Sequence, residues 1–76
     1  MQAGDRVYYL YTDNSGNQIK YAAVVLACRD DGVVIRIGRY DPGTQDIKTF
    51  ESSVSADSLQ PRSIPCSYEA ILEGER

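Results

Sequence analysis

Seventy-six residues, 42% hydrophobic and 25% charged, make one small domain and exclude a chain too polar to fold. A chain of this length buries only about 60–65% of its unfolded surface, so its core is small. The net charge is −3: a near-neutral body at −1 up to Arg62 and an acidic tail at −2 beyond it. This balance disfavours general nucleic-acid binding, which rests on phosphate neutralisation. There is no His, which removes the commonest general base and metal ligand, and Cys28 and Cys66 alone do not make a zinc site. No cofactor or metal is expected. No apolar run reaches membrane-spanning length. The start MQAGDRVYYL lacks the basic and apolar segments of a signal peptide, so a cytoplasmic location and reduced cysteines are expected.

In chain order, Asp5 to Thr12 reads as a strand rich in Val and Tyr. Asp13-Asn14-Ser15-Gly16-Asn17 is a turn cluster. Ile19 to Arg29 is a second strand, apolar on both parities, which predicts that both of its faces are covered somewhere along it. Cys28, at its end, is expected to pack as a small hydrophobe. Asp30-Asp31-Gly32 signals a hairpin into a third strand, Val33 to Tyr40. Asp41-Pro42-Gly43-Thr44 is another turn, and Ile47 to Glu51 a fourth strand. Ser52 to Ser58 reads as a polar turn with a short 3₁₀ segment, and Leu59 to Arg62 as a short closing strand where Pro61 suits an edge. Ser67 to Glu75 can form a short helix, with Ser67 as N-cap, Gly74 at the C-terminal end, and Tyr68, Ile71 and Leu72 on one face. Five short strands separated by turns predict an all-β fold, a small barrel over residues 1–62 followed by an acidic tail, 63–76.

Alternation divides the third strand. Val33, Ile35 and Ile37 face the core, with Arg39 where the core ends; Val34, Arg36, Gly38 and Tyr40 face outward. The expected core is Val7, Val25, Val33, Ile35, Ile37, Ile47, Val54 and Leu59. Six Tyr with one Phe and no Trp is an uneven aromatic balance. It points either to rings packed at a barrel rim or to a recognition surface. The candidate ligand or partner surface is Tyr8, Tyr9, Arg36, Tyr40, Lys48 and Phe50, on the first, third and fourth strands. Arg36 with Lys48 or Arg6 could form a basic stripe beside Tyr8 and Tyr40, although pairing with the many nearby acids is the stronger expectation.

The order of features resembles the SH3-like barrels of the Tudor and KOW group. Gly4-Asp5-Arg6-Val7 is similar to their opening strand. Ala22 to Cys28 followed by Asp-Asp-Gly is similar to their second strand and hairpin. Val34 to Asp41 resembles the end of a Tudor third strand, and Val54 through Leu59-Gln60-Pro61-Arg62 their closing segment. The resemblance covers roughly residues 4–62. It implies an SH3-like barrel and an aromatic cage for methylated Lys or Arg, with Tyr40 at a cage position and Tyr8 or Tyr9 and Phe50 as neighbours. The plasmid-borne type II dihydrofolate reductases share the Gly-Asp-Arg-Val strand. Here Ile47-Lys48-Thr49-Phe50 stands where they carry Val-Gln-Ile-Tyr, so that activity is not expected. Compact lone barrels of this look also resemble bacterial, phage or gene-cassette products.

The expectation for function is therefore a non-catalytic module of protein or peptide binding or of self-association. A nucleic-acid-associated Tudor/KOW-like module is the alternative. A small oligomeric enzyme comes last, because no base stands at a spacing that would activate a nucleophile.

Overall fold

The computed structural model describes residues 1–74. It contains β1 (Arg6–Thr12), β2 (Gln18–Arg29), β3 (Gly32–Asp41), β4 (Asp46–Val54), a 3₁₀ turn (Ala56–Ser58), β5 (Leu59–Pro61) and α1 (Glu69–Leu72). All five strands pair antiparallel in one sheet of order β4-β3-β2-β1-β5. The protein is all-β with one short helix. No described helix is long and apolar enough to cross a membrane.

The turns explain the meander. In the β1–β2 connection the Asp13 carboxylate accepts the N–H groups of Ser15 and Asn17, each at 2.9 Å. Gly16 supplies a φ of +85°, which a side chain would resist. The 3₁₀ turn is capped by Ser55, whose hydroxyl accepts the Asp57 N–H. β4 extends to Val54, through the serines expected to be a turn. Its ladder with β3 supplies backbone bonds whatever the side chains, and Val33 pairs with Val54 at its end.

The sheet has two apolar surfaces. On its inner face Val7, Ala23, Val25, Val33, Ile35, Ile37 and Leu59 form the main core, with Tyr9, Tyr21 and Val54 packed against it. On its outer face Ala22, Val24 and Leu72 form a second cluster, joined by Cys66 and Tyr68. The double-parity apolar run of β2 is thereby explained, because each of its parities meets a different cluster.

Three expectations need correcting. Ile47 does not join the main core: it pairs with Tyr40, on the outer face. Cys28 is exposed rather than packed, its thiol donating to the Met1 carbonyl at 3.1 Å. It lies beyond the irregularity at Val25/Ala27, next to the last residue of β2. The helix is also shorter than expected and follows Tyr68, not Ser67. Tyr68 and Leu72 face the sheet at i and i+4 while Ile71 is exposed. Gly74, with φ +84°, ends it as expected. Glu75 and Arg76, the last residues of the expected tail, lie outside the described residues.

Candidate interaction surfaces

The outer face is organised by an arginine at the end of β5. Arg62 is 4% exposed, yet each of its five N–H groups has an acceptor. Nε donates to the Val7 carbonyl at 3.1 Å, and the two terminal nitrogens reach the carbonyls of Ala23 (2.8 Å) and Ile64 (3.3 Å). Both terminal nitrogens also bond the Glu69 carboxylate, one of them at 3.0 Å. A bidentate pair of this kind is strong and directional. The same carboxylate accepts the Cys66 N–H at 3.2 Å, which fixes the turn entering α1. The Arg62 hydrogen bonds hold the Glu69 carboxyl below its ordinary range, and the same bonds raise Arg62 above its own. Burial pushes the Tyr68 phenol up.

Two further arginines serve the same segment. Arg6 lies 3.6 Å from Glu69 and 3.7 Å from Glu73. Arg36 donates to the Leu72 carbonyl at 3.1 Å, at the C-terminal end of α1, and pairs with Glu51 at 3.3 Å. Gly38 lies beside Arg36 on this face. A Cβ there would stand 2.5 Å from the Tyr68 ring and 2.8 Å from a Leu72 methyl, so only glycine leaves room for the helix. Full burial of Leu72 contributes about 1.5–3 kcal/mol to holding the strap down.

The inner face is different. Beyond Ile37 the main core stops, and an open groove of about 400 Å³ is lined by Tyr9, Tyr11, Tyr21, Arg39, Phe50 and Ser52, among others. Tyr11 is 43% exposed and Phe50 49%. Among the described residues Arg39 has no carboxylate within ion-pair distance, and its cross-strand neighbour is Lys48. The groove borders β4, an edge of the sheet whose free side carries unpaired backbone donors and acceptors.

The six candidate residues do not form one surface. Pairing and alternation send Tyr8, Arg36 and Tyr40 to the outer face and Tyr9, Lys48 and Phe50 to the inner. Arg36 is committed to the strap, and Tyr8 has Lys20 and Arg62 over its ring at 5.6 and 5.9 Å. Lys48 turns back to Asp41 at 3.4 Å. A cleft of about 260 Å³ at the β3–β4 end touches both Tyr40 and Phe50. Their side chains leave opposite faces of the sheet, so they are not facing walls of a cage. Tyr9 and Phe50 do share the groove, where Tyr11, Tyr21 and Arg39 join them. The Arg62–Glu69 clasp was missed in the sequence. Its one signal was Gly38, a lone glycine in an apolar strand, which marks close approach of another segment.

Fold and surfaces define a small all-β domain on a single antiparallel sheet, strapped on its outer face by its own C-terminal segment and carrying an open groove at one end of its inner face. The chain matches no family model, no curated protein and no solved structure.

Proposed function

We propose that the protein is a non-catalytic interaction module, an SH3-like barrel of the Tudor/KOW kind, that binds a protein or peptide segment along the inner-face groove and the adjoining edge of β4. The observation that carries this reading is the groove itself: exposed aromatic rings beside an arginine with no ion-pair partner among the described residues, and an unpaired strand edge. An extended segment laid along β4 gains main-chain hydrogen bonds, and its alternate side chains reach the groove. Tyr and Phe supply contact area, and Arg39 suits an acidic group among apolar ones. The element order, with a 3₁₀ turn before the last strand, supports the SH3-like assignment. The free thiols Cys28 and Cys66 suit a reducing compartment such as the cytoplasm. Nucleic acid is the weaker reading, because Arg6, Arg36 and Arg62 are already answered by acids of the same chain.

A displayed library of random peptides tests the proposal. Selection on immobilised protein should enrich segments that combine apolar residues with Asp or Glu, and Phe50→Ser or Arg39→Ser should abolish their capture. Enrichment that survives both substitutions, or none at all, rejects it.

A further inference from the structure

The two edges of the sheet are unequal. β5 is three residues long and ends in Pro61, which has no N–H to offer. β4 is nine residues long, contains no Pro, and pairs with β3 in continuous register without a bulge. Bulges, prolines and short length are the usual means of blunting an edge, and β4 has none of them. Of its charged residues, which also guard an edge, Asp46 stands at the first position, Lys48 is drawn back to Asp41 within its own hairpin and Glu51 to Arg36 of β3.

We propose that β4 pairs antiparallel with β4 of a second copy, about a two-fold axis through Phe50. The proposal rests on the reading of the groove and the β4 edge as the interaction surface, and names its partner. Two-fold symmetry normal to the sheet keeps inner face beside inner face, so only residues of like parity can stand opposite each other. Centring on Phe50 uses the whole strand: Asp46 stands opposite Val54, Ile47 opposite Ser53, Lys48 opposite Ser52, Thr49 opposite Glu51, and Phe50 opposite itself.

Charge selects this register over its neighbours. Centring on Lys48 sets Lys48 against Lys48. Centring on Glu51 sets Glu51 against Glu51, and like charges directly opposite are destabilising. Centring on Thr49 sets Ile47 against Glu51 and runs Ser53 and Val54 into the turn of the other copy. Only the Phe50 register opposes no like charges while pairing every residue from Asp46 to Val54. It also brings together two half-exposed Phe50 rings on the inner face, an aromatic cross-strand pair of the favourable type, and joins the two grooves into one continuous aromatic floor.

Light scattering on size-exclusion fractions from micromolar to millimolar concentration tests the pairing. The wild type should shift from monomer to dimer. Phe50→Lys and Phe50→Asp place like charges on the axis, so each alone should stay monomeric with an unchanged circular dichroism spectrum, and an equimolar mixture should recover the dimer. The register has its own signature. Ser52→Glu sets a carboxylate opposite Lys48 and should tighten the dimer several-fold, whereas Ser52→Lys should loosen it by a similar factor. A wild type monomeric at millimolar concentration overturns the proposal, as does a dimer indifferent to Phe50→Lys, or equal effects of the two Ser52 variants. A monomer that still captures peptides through Phe50 sinks the self-pairing alone and leaves the interaction surface in place.

Discussion

On the outer face of the sheet the three arginines around the strap are spoken for: Arg62 by Glu69 and three carbonyls, Arg6 by Glu69 and Glu73, Arg36 by Glu51 and the end of α1. On the inner face, a strand's thickness away, Arg39 stands beside exposed Tyr11 and Phe50 with no acid to meet among the described residues. The two faces draw on the same residue types. They differ in what the chain has already placed there. Glu69 and Glu73 of the acidic tail lie on the outer face, so Arg6 and Arg62 there are structural, whereas Arg39 and the rings beside it on the inner face are left for something else. Aromatic and basic character alone does not mark a site; the absence of an internal partner does.

The sharpest way to break this contrast is to remove the outer clasp. Arg62→Met leaves the Glu69 carboxylate under the strap without its main partner and strips donors from the Val7, Ala23 and Ile64 carbonyls. Breaking a buried pair from one side costs about 3–5 kcal/mol. A domain of this size is stable by only about 5–10 kcal/mol, so denaturant midpoints should fall steeply. The double variant Arg62→Met/Glu69→Leu should recover part of the loss, because no unpaired charge is then buried. If the single variant unfolds with a wild-type midpoint, the clasp does not hold the strap.

Gly38→Ala should come next. The added methyl must displace Tyr68 or Leu72, an overpacking cost of about 1–3 kcal/mol. Thr49→Ala, at the exposed position opposite on β4, should cost little by comparison. The loss at Gly38 should be local first: amide exchange should quicken at Leu72 and Glu73 well before it does at Ile35.

What could be read from the sequence, and what could not, divides along the same faces. Alternation along β3 places Val33, Ile35 and Ile37 inward and Arg36, Gly38 and Tyr40 outward, because the pleat enforces a period of two. The turns at Asp13–Asn17 and Asp30–Gly32 carry their own local chemistry. Long-range partners carry no such local mark. Nothing near Arg62 announces that Glu69 lies across from it, and the four residues of α1 are too few to show a period. The groove was half legible: Tyr9 and Phe50 were candidates, while Arg39 reads from the strand pattern only as the place where apolar residues stop. Register with β4 is what turns that end of the strand into one side of an aromatic groove.

Acid should separate the faces more gently. Because Arg62 holds the folded Glu69 carboxyl below its ordinary value of about 4.3, the pair contributes stability that is fully present above that value and is lost as pH falls through the lower, folded one. Urea midpoints measured from neutrality down to strong acid should therefore show wild type and Glu69→Gln far apart at neutral pH and converging in the acid range. A constant gap would mean that the carboxylate's charge contributes nothing.

The smallest expected effect on folding is on the inner face, and there the size of the effect is the argument. Tyr11 and Arg39 are exposed, lie at the margin of the main core, and form no ion pair or side-chain hydrogen bond among the described residues. Substitutions at such positions usually change stability by no more than about 0.5 kcal/mol. Tyr11→Ser and Arg39→Ser should therefore melt within a few degrees of wild type. A residue that packs for the fold destabilises it when removed; a residue kept for a partner does not. If either variant instead loses stability on the scale of Gly38→Ala, the groove is part of the core, and the contrast between a committed outer face and an available inner one fails. If both fold normally and lose peptide capture, the inner face is the one the chain has left free to bind.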